Sequence, residues 1–112
     1  MKILVHSSTP QGPSSYSVLT RRVVPEWVRL GQECAVSSWY GLQGAPQKWD
    51  IYPKHDKKMP PLFTVPILPC VNGASYGIDT LRASYEWVKA DCLISIMDVW
   101  VLPPHVTQGL AF

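Results

Sequence analysis

The chain has 112 residues, enough for one domain of ordinary size, which excludes a multi-domain enzyme within this chain. Hydrophobic residues make up 46% and charged residues 16%, as in packed globular proteins rather than disordered ones. The formal net charge is +2, and the basic residues are scattered except for Lys54, Lys57 and Lys58, which we interpret as a solvated loop. Nucleic-acid-binding proteins usually carry a basic stripe with interleaved aromatics, so we expect no nucleic-acid partner.

The cysteine count and the length of the apolar runs indicate in which cellular compartment the protein is found. Three cysteines, an odd count without a CxxC pair, argue against a disulfide framework and against a zinc site. The N-terminal apolar run is too short for a signal peptide. No run approaches the roughly 20 residues of a membrane helix. The sequence therefore predicts a cytoplasmic protein without a transmembrane segment or a metal, and leaves peripheral contact with a membrane surface open.

The first elements in chain order are a strand, a loop and a helix. Lys2–His6 is an apolar, partly β-branched run that predicts a buried strand. Ser7–Ser17 is rich in Ser, Pro and Gly, which predicts a loop. Apolar residues then recur at helical spacing from about Val18, with Ser17 or a neighbour as the N-cap.

The helix is followed by a second strand. Pro25 removes a helical hydrogen bond, so we expect it either to kink this helix or to begin a second short one. Gly31 is a natural helix stop, and Glu33–Ser38 predicts a strand. The first 38 residues therefore predict a βαβ unit with a right-handed crossover.

The second half of the chain repeats the alternation of strand and helix. Pro66 cannot donate to a sheet ladder, so the strand that contains it is expected at a sheet edge. In order, the sequence predicts a turn or hairpin over Trp39–Asp50, a polar connection over Ile51–Pro61, a strand over Leu62–Leu68, a helix over Ile78–Ala90 and a strand over Asp91–Met97.

This alternation predicts an α/β domain with a mostly parallel sheet. Ligands bind such sheets outside the carboxyl ends of the strands. Two places meet that condition here: the loop after His6, and Asp98 after the last strand. Asp98 could orient a sugar hydroxyl or act as a general base, or it could simply cap a turn.

The loop after His6 leads into a helix N-terminus, where backbone N–H groups attract anions. Gly12, Ser14 and Ser15 are small enough to let a phosphate approach. The loop has neither the G-x-G-x-x-G spacing of dinucleotide sites nor the Lys-Ser/Thr pair of a P-loop. An ordinary strand-to-helix connection is the competing interpretation.

The histidines and aromatics carry weaker signals. His6 ends a strand and is more often structural than catalytic in that position, and the other two histidines are not paired at metal-ligand spacing. Four aromatics near the strand exits could stack on a sugar ring, although we favour a core role because of the area they bury. They are Trp39, Tyr40, Trp49 and Trp100.

Four segments of the chain stand in a recognisable order: MKILVHSSTPQGPSSYS, PEWVRLGQECAVSSWYGLQGAPQKWD, VPILPCVNGASYGIDTL and ADCLISIMDVWVLPP. Their most specific parts are Ser38–Gly44 and Met97–Trp100. In this order the segments resemble the N-terminal domain of GT-B glycosyltransferases of the family-4, group-1 type. The likeness covers about residues 1–104, except for an unmatched stretch over Ile51–Phe63.

The resemblance implies a retaining enzyme that moves a sugar from a nucleotide-sugar donor to an acceptor, in a cleft between two Rossmann-like domains. The N-terminal domain of such enzymes mostly holds the acceptor, and its first loop approaches the donor phosphates. In this chain the resemblance implies that the corresponding loop is Pro10–Tyr16, with Gly12, Ser14, Ser15 and Tyr16 as contact residues. Relatives often have more glycine in this loop. Many relatives carry His or Glu where this chain has Asp98.

On this resemblance, residues 1–112 are one partial, Rossmann-like, three-layer domain, the N-terminal half of a GT-B fold. The family's donor-binding C-terminal domain is missing from this sequence, and its apolar ending suggests truncation. No cofactor is implied beyond the nucleotide-sugar co-substrate. The alternative is a non-catalytic α/β module that binds a saccharide or a nucleotide.

Overall fold

The computed structural model describes residues 1–40, 46–53, 58–69 and 78–96. These residues form a five-stranded sheet and two helices, with the predicted alternation of strand and helix. In chain order the elements are β1 (Lys2–Ser8), α1 (Ser15–Arg29), β2 (Glu33–Tyr40), β3 (Gln47–Ile51), β4 (Phe63–Leu68), α2 (Ile78–Val88) and β5 (Cys92–Ser95).

The sheet is mostly parallel and has the strand order β3-β4-β2-β1-β5. β1 lies between β2 and β5, and both neighbours run parallel to it. Its register pairs Leu4 with Ala35 on one side and with Leu93 on the other. β3 pairs antiparallel with β4 and forms one edge. The four parallel strands follow the order of one half of a doubly wound sheet, so the α/β prediction is confirmed and a Rossmann-like fold is compatible with it.

Apolar residues alternate along the strands and form two cores, one on each face of the sheet. This alternation is the period-2 geometry of a strand, with Ile3 and Val5 directed to one face and Leu4 to the other. α1 covers the first face and α2 the second, which makes three layers. The α1 core contains Ile3, Val5, Val24, Val28, Cys34, Val36, Ile51, Val65, Ile67 and Ile96, and the α2 core contains Leu4, Ala35, Leu81 and Leu93.

α1 begins three residues earlier than the sequence predicts. Its N-cap is Ser14, whose side-chain oxygen accepts a hydrogen bond from the Ser17 N–H at 3.1 Å. Ser7 and Ser8 belong to β1 and not to the predicted loop, and both are fully buried. The apolar periodicity begins only at Val18 because the buried residue of the first helical turn is Ser17, whose hydroxyl lies 3.0 Å from that of Ser14.

Pro25 lies inside a single continuous helix rather than at the start of a second one. Its ring is buried, so packing against the sheet offsets part of the cost of the missing hydrogen bond. The predicted helix stop at Gly31 is confirmed. Gly31 has a φ of +96°, and the Gln32 N–H donates to the Trp27 carbonyl at 3.0 Å, the pattern of a glycine C-cap.

The predicted edge position of the strand that contains Pro66 is wrong. β4 lies between β2 and β3 and is therefore internal. It is registered with β2 only at Ile67 and Leu68, so Pro66, which has no backbone N–H to donate, stands before that short ladder and does not interrupt it. The edge is formed by β3, which falls within the turn or hairpin predicted over Trp39–Asp50 and ends one residue beyond it.

Candidate functional site at the carboxyl edge of the sheet

The strand order changes direction between β1 and β5. The chain proceeds from β1 outward to β2 and β4, then returns to place β5 on the other side of β1. The Ile96 N–H donates to the His6 carbonyl at 2.9 Å, so the end of the last strand lies directly beside the end of the first. In open α/β sheets this switch point is where a crevice forms and where ligands bind.

Buried hydroxyl groups join the end of β1 to α1. The Ser7 and Thr20 hydroxyls are 2.7 Å apart, and Thr20 donates to the carbonyl of Tyr16 at 2.8 Å. Both hydroxyl side chains are fully buried. Because a buried hydroxyl without a partner is costly, these bonds fix the distance between the strand end and the first turn of the helix.

A second set of hydroxyls holds the helix N-terminus itself. The Ser14 hydroxyl donates to Ser8 Oγ at 3.0 Å and lies 3.0 Å from the Ser17 hydroxyl. On the neighbouring strand end, His6 Nδ1 lies 3.1 Å from the Ser37 hydroxyl, and the imidazole is fully buried. His6 is therefore a structural residue at this edge, with its ring closed to solvent.

The loop between β1 and α1 begins with a tight turn over Thr9–Gly12. The Gly12 N–H donates to the Thr9 carbonyl at 3.0 Å, and Pro10 occupies the second position, which its fixed φ favours. A Cβ atom on Gly12 would lie 2.8 Å from Ser17 Oγ and 3.1 Å from Thr9 Cγ2. The glycine therefore serves close packing of the loop onto α1, and its amide is already bonded.

Arg21 ties the same turn to the second turn of α1. One guanidinium nitrogen, Nη1, donates to the Pro10 carbonyl at 2.7 Å and to the Gly12 carbonyl at 2.9 Å. Arg21 has no predicted role. It stands beside Arg22 in the sequence with no local feature that separates the two, so sequence alone could not single it out.

The four predicted loop residues come together at the switch point. Gly12 is packed, Ser14 is the N-cap, and Tyr16 packs against the α1 core. Ser15 is exposed at the first helical position, which makes it the one of the four most accessible to a ligand. Asp98 lies outside the described residues, two positions beyond Ile96.

Sequence reasoning missed the hydroxyl network, although one signal for it was present. Thr20 stands four and eight residues before Val24 and Val28, so it lies on the buried stripe of α1. A hydroxyl residue on such a stripe needs a partner, and the serines that follow the first apolar strand could supply one.

The remaining candidates divide between the core and the undescribed residues. Trp49 packs against the α1 core, the role favoured for the aromatics, whereas Trp100 lies outside the described residues.

Burial raises the pKa of the Cys34 thiol to about 11, and the Cys92 thiol adds to that rise. Cys34 is thus held protonated, as expected of a cysteine that fills core space.

Two further expectations concern metals and membranes. Within residues 1–40, 46–53, 58–69 and 78–96, no three His, Cys, Asp or Glu side chains are grouped to hold a metal ion. In the same parts of the chain, neither helix has the length and apolar character needed to cross a membrane.

Comparison with known proteins adds no relative: no protein-family model, no curated protein and no solved structure matches this chain.

Proposed function

We propose that this chain is the acceptor-side, N-terminal half of a GT-B glycosyltransferase of the family-4 type, in which a nucleotide-sugar donates a sugar to an acceptor. The observation that supports the proposal most is the switch point between β1 and β5. The loop after β1 and the N-terminus of α1 both lie at that edge, where the resembling family brings its first loop near the donor phosphates. The resembling segments of the sequence supply the choice of family.

The proposal assigns a limited role to the loop. The amides of Gly12 and Ser17 are already bonded to Thr9 and Ser14, so they are not free donors for a phosphate. Contact with the donor phosphates then falls mainly to the first turn of α1 at Ser15. A single helix N-terminus contributes a weak attraction, so tight donor binding requires the second domain.

The acceptor side of the proposal rests on Asp98. Asp98 follows β5 by three positions in the sequence. A carboxylate that follows a parallel strand is expected near the ligand edge, where it can accept a hydrogen bond from a sugar hydroxyl. In the complete two-domain enzyme, Asp98→Asn should lower the transfer rate more than it weakens donor binding. Equal transfer rates in the two proteins would remove Asp98 from the proposal.

A nucleotide titration of the 112-residue chain tests the donor side. With ¹⁵N-labelled protein and UDP or GDP as probes, we expect dissociation constants on the order of 1 mM, about 4 kcal/mol of binding free energy. The shifted amides should cluster over residues 11–16. Sugar transfer from a nucleotide-sugar should be undetectable, because half of the site is lacking.

Ser15 provides a matched pair of variants for this titration. Ser15→Asp places a negative charge where the phosphate is proposed to sit, yet an acidic residue in the first helical turn favours the helix. We expect Ser15→Asp to abolish the shifts without lowering stability, and Ser15→Ala to bind like the wild type. No shifts in the wild-type loop would contradict the proposal. Submicromolar nucleotide binding by this chain alone would instead favour a stand-alone binding module.

A further inference from the structure

The turn over Thr9–Gly12 is held from outside as well as by its own hydrogen bond. Its internal bond joins the Gly12 N–H to the Thr9 carbonyl at 3.0 Å. Two of its carbonyls, those of Pro10 and Gly12, accept from the same Arg21 nitrogen at 2.7 and 2.9 Å. A cation between two carbonyl oxygens forms charge-assisted hydrogen bonds, which are stronger than neutral ones.

We propose that Arg21 is a positioning residue that holds the loop between β1 and α1 (residues 9–14, the switch-point loop) against α1 in one conformation before any ligand arrives. The hydroxyl network secures only the two ends of the connection, at Ser7 and Ser8 on the strand and at Ser14 on the helix. Between these ends, the Arg21 side chain reaches the turn from the second turn of α1. The functional consequence rests on the proposed function: a loop already held in place loses less conformational entropy when it binds a phosphate-bearing ligand.

A variant of Arg21 also loses a positive charge, and the chain offers a control for that loss. Arg22 is the next residue on the same helix and is also exposed. Arg21→Met and Arg22→Met make the same change in net charge and keep most of the aliphatic stem. A difference between the two variants therefore reports on the hydrogen bonds to the turn.

Amide hydrogen exchange decides whether Arg21 holds the loop. In Arg21→Met we expect the Gly12 amide to exchange about tenfold faster than in the wild type, from the loss of two hydrogen bonds partly exposed to water. The Leu4 amide at the centre of the sheet should keep its rate, and Arg22→Met should match the wild type at both positions. An unchanged Gly12 rate, or equal acceleration at Gly12 and Leu4, would overturn the proposal.

A UDP titration then separates this inference from the proposed function. We expect Arg21→Met to bind UDP about fivefold more weakly than Arg22→Met, because the loop must be ordered during binding. Equal affinities, with the Gly12 amide loosened, would overturn a positioning role toward the ligand. If UDP shifts no loop amide even in the wild type, the proposed function fails, while the Gly12 exchange rate still decides whether Arg21 holds the loop.

Discussion

Gly12→Ala tests the packing of the switch-point loop most directly. The φ of Gly12 lies outside the left-handed region, so alanine is allowed by the backbone and the cost comes from contacts. The new methyl group would lie 2.8 Å from Ser17 Oγ, 3.1 Å from Thr9 Cγ2 and 3.2 Å from the Thr9 carbonyl oxygen. Real Cβ atoms almost never approach a heavy atom more closely than 3.0 Å, so something must move.

The expected loss of stability depends on whether the atoms near the added methyl group can move away from it. Ser17 is fully buried, and its hydroxyl lies 3.0 Å from that of Ser14, so rotating it away disrupts a buried hydrogen bond. Thr9 cannot withdraw freely, because its carbonyl closes the turn. We expect a loss of about 1–3 kcal/mol in the free energy of unfolding, typical of an added methyl group in a packed site. Urea denaturation followed by circular dichroism measures it.

A double-mutant cycle identifies the contact responsible. Ser17→Ala removes the nearest atom, so Gly12→Ala should cost about 1 kcal/mol less in that background than in the wild type. Gly31→Ala is the matched control. It has open space around it but a φ of +96°, so it should be destabilising through backbone strain and additive with Ser17→Ala. A cost for Gly12→Ala below about 0.5 kcal/mol, or full additivity with Ser17→Ala, would refute the packing argument.

Three further changes test the helix ends and the core. Ser14→Ala removes the N-cap of α1 and should lower the free energy of unfolding by about 1 kcal/mol, whereas the exposed Ser15→Ala should leave it unchanged; equal urea midpoints would contradict the assigned cap. Lys89 directly follows α2 and has a φ of 56°, so Lys89→Gly should raise the thermal midpoint by the equivalent of about 1 kcal/mol, and a lower midpoint would contradict that geometry. Burial raises the pKa of the Cys34 thiol from its ordinary value of 9.0 to about 11, so the unfolded chain loses the proton first. Stability should therefore fall between about pH 9 and pH 11, and that slope should be shallower in Cys34→Ala, where an identical pH dependence would show that the thiol titrates normally.

Local patterns were sufficient for the order and type of the elements except β3, most of which lies in a segment predicted as a turn or hairpin. Continuous apolar runs predicted β1 and β5, because a strand buried on both faces carries hydrocarbon at successive positions. Helical periodicity predicted α1 and α2, and Gly31 marked the end of α1 because only glycine adopts its φ without strain. These signals are local, so they can be read without knowledge of which strand lies beside which.

Boundaries and the content of the site depended on contacts distant in sequence. The start of α1 was predicted too late because Ser14 and Ser17 satisfy each other and Ser8, and hydroxyl partners do not produce apolar periodicity. Pro66 indicated an edge strand, yet β4 is internal, because the ladder with β2 begins only after the proline. Neither outcome is encoded in the neighbouring residues alone.

The sequence by itself determined an α/β chain, a parallel βαβ unit at its start, and a short list of polar residues after its strands. The tertiary structure decided the strand order, and with it the switch point between β1 and β5. It also decided that Gly12 is used for packing and that Arg21 reaches back to the Pro10 carbonyl. The physical reason is that helix and strand signals arise from neighbours along the chain, whereas a site is assembled from side chains that meet only when the sheet has formed.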